Sequence, residues 1–164
     1  HIYLNKKTGK ARLKSGSERN RMSALLQASR IVEEVTRSGW DKNTKMRTVW
    51  SYFIRNFGYY GDSSFSLAGD WDVRYALSCL NLRHASCEGL GFGWAFLANA
   101  CGAEDCWCVC SGGHGWAEIG GRVYDPSWQK VDGARYNYYG MSKSMSGYDG
   151  IPNYSLYGDY RRKV

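Results

Sequence analysis

Apolar residues recur at helical spacing in two stretches near the start of the chain. The first lies between Ser17, a suitable N-cap, and Gly39, and it predicts a helix over 17–38. The second predicts a helix over 43–57, and a weaker pattern predicts a short helix over 70–80. The apolar positions are Met22, Leu25, Leu26, Val32 and Val35 in the first stretch and Met46, Val49, Trp50, Phe53, Ile54 and Phe57 in the second.

The segment from Cys87 to Cys101 is apolar almost throughout, which is typical of a helix buried on all sides. Gly102 follows this segment and can end the helix. Gly89 and Gly93 lie four residues apart on one face, where they allow another element to approach closely. We therefore predict a buried helix over this whole segment.

A pattern typical of strands follows the buried helix. Residues 106–110 alternate in the β period, 116–119 continue the apolar pattern, and Gly120-Gly121 forms a two-residue hairpin turn into 122–124. Strands joined by such a turn are antiparallel. The pattern therefore predicts an α+β fold in which an antiparallel sheet packs against the buried helix.

After Asp132 the chain is rich in Tyr, Gly and Ser and has no sustained period. We interpret this segment as loops or short strands that wrap the core. The alternative is one wall of a substrate cleft, since tyrosine offers flat contact area and a hydroxyl at low entropic cost. The tyrosines are Tyr136, Tyr138, Tyr139, Tyr148, Tyr154, Tyr157 and Tyr160.

The chain has 164 residues, of which 43% are hydrophobic and 23% charged, as expected for one globular domain. Within that domain we distinguish a basic N-terminal arm (1–16), a core (17–132) and a C-terminal segment (133–164). The net charge of +7 comes from residues 1–30, which hold eight Lys or Arg and one Glu. Such an arm can contact an anionic surface, although a solvated linker is its more usual role. No motif supports nucleic-acid binding.

The chain also lacks the features of a membrane-spanning protein. No apolar run approaches the roughly 18–20 residues that a transmembrane helix needs, so we expect no membrane span. The chain begins at His1 with neither an initiator Met nor a signal peptide, so we expect a mature form or an excised domain. The missing targeting signal and the abundance of Tyr, Gly and Ser favour an extracellular or cell-surface bacterial protein.

Three residues in the middle of the chain have the spacing of a nucleophilic site. Cys87 begins the buried helix, where unpaired N–H groups and the positive end of the helix dipole favour a thiolate. His114 stands among glycines directly before a strand and can act as a base. Asp125 follows across the hairpin, so adjacent strands should hold it beside His114, where it would fix the imidazole tautomer.

Together these residue types predict acyl transfer. The thiolate attacks a carbonyl carbon, the imidazolium protonates the departing amine, and the backbone N–H of Cys87 helps to hold the oxyanion. We therefore predict Cys87, His114 and Asp125 as catalytic residues and a protein or peptide as the substrate. We expect neither a cofactor nor an essential metal.

Three motifs also occur in an order that resembles a known family. They are Arg83-His84-Ala85-Ser86-Cys87-Glu88-Gly89, Gly113-His114-Gly115-Trp116-Ala117-Glu118 and Tyr124-Asp125-Pro126-Ser127-Trp128. Over about residues 42–130 the chain resembles the transglutaminase-like core of the papain-like cysteine enzyme superfamily. The resemblance implies a papain-like fold and assigns the catalytic Cys, His and Asp to the same three residues.

The resemblance leaves the reaction open, because a shared fold does not choose one. The family contains protein-crosslinking transglutaminases, peptidases, amidases and members without catalytic residues. Three hypotheses follow: acyl transfer to an amine, hydrolysis by a cysteine peptidase or amidase acting on peptides or cell-wall material, and a non-catalytic binding module.

The resemblance further implies an upstream oxyanion donor and shows one departure from the family pattern. Trp50, Tyr59, Tyr60 and Trp71 are the candidate donors. Gly115 stands where the family usually has Ala, and we expect it to add room and mobility beside the base.

The remaining five cysteines suggest two further hypotheses. Cys106, Cys108 and Cys110 could bind zinc with His114, but alternate strand positions put their thiols about 7 Å apart on one face, unlike a zinc knuckle. Cys101 could form a disulfide with one of them if the geometry allows. Because five is an odd number, at least one of these thiols stays free or pairs between chains.

Overall fold

A computed structural model of the chain describes residues 2–4, 11–13, 15–61, 64–111, 113–154 and 160–164. In these ranges five α-helices pack against a five-stranded antiparallel sheet, which confirms the α+β class. No helix there is long and apolar enough to cross a bilayer. The helices are α1 (Gly16–Val35), α2 (Lys42–Asn56), α3 (Trp71–Leu82), α4 (Cys87–Ala100) and α5 (Pro126–Asp132).

The strands form one main sheet and two short pairs. The main sheet runs in the order β8-β7-β6-β5-β9, and every neighbouring pair in it is antiparallel. The short pairs are β1 with β2, which are antiparallel, and β3 with β4, which are parallel. The strands are β1 (Ile2–Leu4), β2 (Ala11–Leu13), β3 (Gly58–Tyr59), β4 (His84–Ala85), β5 (Cys106–Ser111), β6 (His114–Ile119), β7 (Arg122–Tyr124), β8 (Tyr139–Met141) and β9 (Tyr160–Lys163).

The helix predictions are confirmed, with one correction at the start of α1. α2 and α4 match the predicted helices to within one residue at each end. For α1 the predicted N-cap Ser17 is wrong, because Ser15 caps the helix. The Ser15 hydroxyl accepts from the N–H of Glu18 at 3.2 Å, and the Glu18 carboxylate accepts from the N–H of Ser15 at 2.8 Å. The helix also ends earlier than predicted, at Val35, where the backbone becomes extended.

Glycines let α4 approach its neighbours closely. As predicted, Gly93 faces another element: a Cβ there would lie 2.9 Å from the Cys79 Sγ of α3. Gly91 makes an unpredicted contact with the sheet, since its Cβ would lie 2.5 Å from the Cα of Trp116. The backbone of α4 therefore rests directly on the backbone of β6, with no side chain between them.

The Tyr-rich segment wraps the core, as its composition suggested. It covers the face of the sheet opposite α4, where Tyr138 and Tyr154 are buried in a cluster with Trp116 and Val123. Tyr157 lies outside the described residues. Both faces of the sheet are therefore packed, one by α4 and the other by this segment.

β9 pairs with β5 through its backbone, and charged side chains attach it to the rest of the protein. Arg161 pairs with the buried carboxylate of Glu118 on β6 at 2.6 Å. Arg162 pairs with the buried carboxylate of Asp72 on α3 at 3.3 Å, and Arg21 of α1 pairs with the same carboxylate at 2.7 Å. Because a buried carboxylate that loses its partner is costly, these ion pairs hold β9 in one register.

Part of the predicted basic arm forms secondary structure. β1 and β2 pair with Ile2 opposite Leu13, which the interpretation of the arm as a linker did not anticipate. Residues 1, 5–10 and 14 of the arm lie outside the described residues.

Replacing Gly91 with Ala tests the contact between α4 and β6. The added methyl would meet the strand backbone, so we expect Gly91→Ala to lower the free energy of unfolding by about 1–3 kcal/mol, although Ala is the better helix former. Urea denaturation measures the change. Gly16→Ala in α1 is the control, since the nearest atom to its Cβ is 4.0 Å away, and it should be neutral or slightly stabilising. Equal unfolding midpoints for Gly91→Ala and the wild type would contradict the close contact.

Candidate active site

Cys87 is the first residue of α4, as predicted. Ser86 before it makes no side-chain cap, so the first N–H groups of the helix have no side-chain acceptor. The Cys87 thiol donates to the Glu88 carboxylate at 3.2 Å and has a second acceptor in the Gly113 carbonyl at 3.8 Å. The sulfur therefore lies where β6 begins, next to His114.

A backbone contact brings β6 to the start of α4. A Cβ on Gly115 would lie 2.5 Å from the Cα of Glu88, so the strand touches the helix one residue after Cys87. The expectation that Gly115 adds room beside the base is therefore wrong, because the helix backbone fills the space that an alanine methyl would need. Gly112, at the start of this glycine-rich stretch, lies outside the described residues.

His114 and Asp125 lie side by side, as the hairpin predicted. His114 begins β6, Asp125 follows β7, and the two strands pair with Ala117 opposite Tyr124. The His114 Nε2 lies 2.6 Å from the Asp125 Oδ2. The Asp125 side chain is fully buried, whereas that of His114 is 21% exposed. The imidazole thus has one nitrogen held by a carboxylate, and part of the ring remains accessible.

Each residue of the pair stabilises the charged form of the other. Burial disfavours the imidazolium, but the charge and hydrogen bond of Asp125 outweigh it, and contact with the Cys87 thiol acts in the same direction; the pKa of His114 rises to about 10. Burial alone would raise the pKa of Asp125, yet the charge of His114 holds that pKa below its usual value. At neutral pH the two residues therefore form an ion pair.

Asp125 is also the N-cap of α5 and accepts three further hydrogen bonds. Its Oδ1 accepts from the Trp128 N–H at 3.0 Å and from the Ser127 hydroxyl at 2.8 Å. Its Oδ2 accepts from the Tyr154 hydroxyl at 2.9 Å in addition to His114. Four donors fix the orientation of this buried carboxylate. Because His114 is one of the four, the carboxylate also fixes the orientation of the imidazole.

Tyr154 is a site residue that the sequence did not predict. Its ring packs edge-on against the Trp116 ring with centroids 5.2 Å apart. The Trp116 ring in turn stacks with the His114 ring, with centroids 5.7 Å apart. Burial, followed by the charge of Asp125, raises the pKa of Tyr154, so its hydroxyl remains a donor. Tyr154 was one of several tyrosines in a segment without a period, and nothing in its local sequence distinguished it.

Of the four candidate oxyanion donors, Tyr59 lies on the strand that pairs with the segment leading into Cys87. It pairs with Ala85 in the short parallel ladder that leads into Cys87. Partial burial raises the pKa of the Tyr59 hydroxyl, and so do the charges of Cys87 and Glu88. The hydroxyl is therefore protonated at neutral pH.

The other three candidates are placed differently. Trp50 and Trp71 are buried in the main core, where Trp50 packs against Trp94 and Trp71 packs against Phe92. Tyr60 lines a hollow together with Ser86 and Gly89.

The other cysteines are buried thiols of the core. All six cysteines are free, so the disulfide considered for Cys101 is not formed. Burial raises the pKa of Cys101, Cys106 and Cys110 to about 12, and it raises that of Cys108 as well. Within the described ranges, no three His, Cys, Asp or Glu side chains are grouped in a way that could hold a metal ion.

Comparisons of the chain with family models, curated proteins and solved structures found no match. The chemistry of the site is therefore inferred from the positions of its own side chains.

The ion pair predicts a specific dependence of stability on pH. The pKa of His114 is about 10 in the folded protein and returns to about 6.5 on unfolding. Its contribution is therefore complete below pH 6.5 and is lost as the pH rises through 10. We expect the difference in unfolding free energy between the wild type and His114→Gln to shrink over this window, as measured by urea denaturation at several pH values.

His84→Gln is the control for this experiment, since the His84 ring contacts Tyr60 rather than Asp125. This variant should keep the pH dependence of the wild type. A difference between the wild type and His114→Gln that stays constant from pH 6 to 10 would contradict the raised pKa.

Removing the Tyr154 hydroxyl should change the titration of His114. In Tyr154→Phe the Asp125 Oδ2 loses one donor, so its negative charge falls more fully on His114 and the pKa of His114 should rise further. NMR titration of the His114 ring measures this shift. The loss of a buried hydrogen bond should also cost about 1 kcal/mol of stability.

Tyr138→Phe separates the two effects. Tyr138 is as buried a residue as Tyr154, but its hydroxyl donates to Asp132 at 2.9 Å, so the loss of this hydroxyl should lower stability without moving the His114 titration. Identical His114 titration curves in Tyr154→Phe and Tyr138→Phe would show that the Tyr154 hydroxyl does not affect the pKa of His114.

Proposed function

We propose that the chain is a cysteine acyl-transfer enzyme, with Cys87 as the nucleophile, His114 as the acid and base, and Asp125 as the group that orients His114. The observation that carries the proposal is the 2.6 Å ion pair between His114 and Asp125, together with a thiol at the start of a buried helix that lies 3.8 Å from the carbonyl of Gly113, the residue before His114. A nucleophile, a base within reach and a carboxylate that orients the base are what covalent acyl transfer requires.

Before the first half of the reaction the Cys87 thiol loses its proton to solvent, which leaves a thiolate beside the His114 imidazolium. This thiolate attacks a carboxamide or peptide carbonyl. The C–S bond forms and the carbonyl electrons move onto oxygen. The imidazolium of His114 then gives its proton to the leaving nitrogen as the C–N bond breaks, which leaves a thioester and a neutral imidazole. Because Nε2 is held by Asp125, Nδ1 is the nitrogen that carries this proton.

In the second half an amine or a water molecule attacks the thioester. The neutral His114 takes a proton from the attacking group, the C–S bond breaks, and the thiolate and imidazolium are restored. An amine gives a crosslinked or aminated product, and water gives a hydrolysed one. Both outcomes use the same three residues, so the acceptor that reaches the site decides between transferase and hydrolase.

Two donors are available for the oxyanion. The N–H of Cys87 lies at the uncapped start of α4, where the helix dipole also favours negative charge. The Tyr59 hydroxyl is protonated, and its strand pairs with the segment that leads into Cys87. We propose that these two groups hold the tetrahedral oxygen together.

The order of the elements supports placing the chain among the transglutaminase-like members of the papain-like superfamily. The nucleophile starts a buried helix, the base starts the second strand after it, and the carboxylate follows the third. We propose a protein or peptide as the substrate, met outside the cell or at its surface.

Trapping the acyl-enzyme tests the proposal. The protein is incubated with a library of glutamine-containing peptides and a fluorescent primary amine, and digests are analysed by mass spectrometry. We expect an acyl adduct on Cys87, none in Cys87→Ala, and a turnover rate about 10²–10⁴-fold lower in His114→Gln. Incorporation of the label identifies a transferase, whereas ammonia or cleaved peptide without label identifies a hydrolase.

Cys101→Ala is the matched control, because it removes a buried thiol whose raised pKa makes it unreactive. This variant should keep the adduct and the turnover. Slow, uniform labelling of all six cysteines by iodoacetamide, with no acyl adduct, would reject the enzyme and favour a non-catalytic binding module.

A further inference from the structure

A hollow of about 240 Å³ lies beside the chain segment that carries the nucleophile. Ser86, which precedes Cys87, and Gly89, in the first turn of α4, form one side of it. Its volume is below the roughly 300–1,000 Å³ of sites for whole small molecules, so it has room for about one side chain. Its polar and aromatic walls are formed by Tyr60, Arg74, Tyr75 and Ser78.

Arg74 is the one charged residue among the described residues that line the hollow. Its Nε lies 3.5 Å from the Asp70 carboxylate, and its Nη2 donates to the Ala68 carbonyl at 2.9 Å. Asp70 also accepts from the Asn20 amide at 3.2 Å. The ion pair between Arg74 and Asp70 is weak, because it is long, partly exposed and shared with Asn20. These contacts therefore position Arg74 but balance its charge only in part.

The tyrosines give the hollow rigid walls. The Tyr75 hydroxyl accepts from the Ser66 N–H at 3.1 Å, and its ring lies 5.0 Å from the Phe65 ring and 5.9 Å from the Arg74 guanidinium. Tyr60 packs against the His84 ring at 4.6 Å. A guanidinium that lies against a tyrosine ring recognises a planar carboxylate well, because its N–H donors lie in one plane and can meet both carboxylate oxygens.

We infer that this hollow selects the acyl donor by binding a carboxylate side chain that flanks the carbonyl attacked by Cys87. The inference rests on the proposed function, since it names the substrate class of that same site. Donors with Glu or Asp next to the reacting carbonyl are preferred over donors with Gln or Asn. Arg74 is the residue that determines this preference.

A pair of peptidyl chloroacetamides tests the preference without needing turnover. The two probes differ only in Glu or Gln at the residue next to the chloroacetyl group, and the thiolate of Cys87 displaces chloride from each as the S–C bond forms. Alkylation of Cys87 is followed by mass spectrometry, and the second-order rate constants are compared. We expect the Glu probe to react about tenfold faster with the wild type, which corresponds to about 1.4 kcal/mol.

Two variants of Arg74 report on the origin of the preference. Arg74→Gln should bring the ratio of the two rates to about one, and Arg74→Glu should invert it. Arg37→Glu makes the same charge change at an exposed position of the connection between α1 and α2, so it should keep the wild-type ratio. This control removes general attraction of acidic probes to a basic protein as the explanation.

The possible failures are distinguishable. Fast alkylation of Cys87 with equal rates for the two probes, or a Glu preference that survives in both Arg74 variants, would overturn the assignment of the hollow and leave the acyl-transfer proposal standing. Alkylation of Cys87 no faster than that of the five buried thiols would overturn both.

Discussion

Two backbone segments, the first turns of α4 and the beginning of β6, touch without side chains between them. Gly91 and Gly115 make this possible, since a methyl group at either position would fall 2.5 Å from a Cα atom of the other segment. A helix and a sheet normally keep the distance that their side chains impose. Here the distance is shorter, and it places the Cys87 thiol of the helix 3.8 Å from the carbonyl of Gly113, the residue before His114 on the strand.

The same contact explains how much of the site could be predicted from the sequence. Cys87 at a helix start and His114 across a hairpin from Asp125 follow from local periodicity and turn chemistry, which a sequence displays directly. The role of Gly115 does not, because it depends on the residue that faces it from another element. From the sequence we expected Gly115 to leave space beside His114, whereas the backbone of α4 occupies that space.

Other features escaped prediction for related reasons. β9 is a strand of charged residues, and its place in the sheet depends on buried carboxylates that are distant in sequence, Glu118 and Asp72. Tyr154 reaches Asp125 from a segment with no period at all. The N-cap of α1 was missed because Ser15 and Ser17 are both suitable, and the reciprocal bond with Glu18 decides between them.

Asp125 serves the fold and the chemistry at once. It caps α5 through the Trp128 N–H and also holds the imidazolium of His114. A group that is bound on both oxygens has little freedom to rotate away from its partner. Loss of this carboxylate would therefore disturb the helix and the base together, so stability and activity have to be compared in any variant at this position.

The contacts that hold the site in place come partly from residues that follow it in the chain. Tyr154 stands 29 residues after Asp125, and the two arginines of β9 come later still. A protein emerges from the ribosome with its N-terminal residues first, so Cys87, His114 and Asp125 are exposed before these supports exist. While it is still being translated, the chain therefore presents Cys87 before Tyr154 can bond to Asp125 and before β9 can pair with β5.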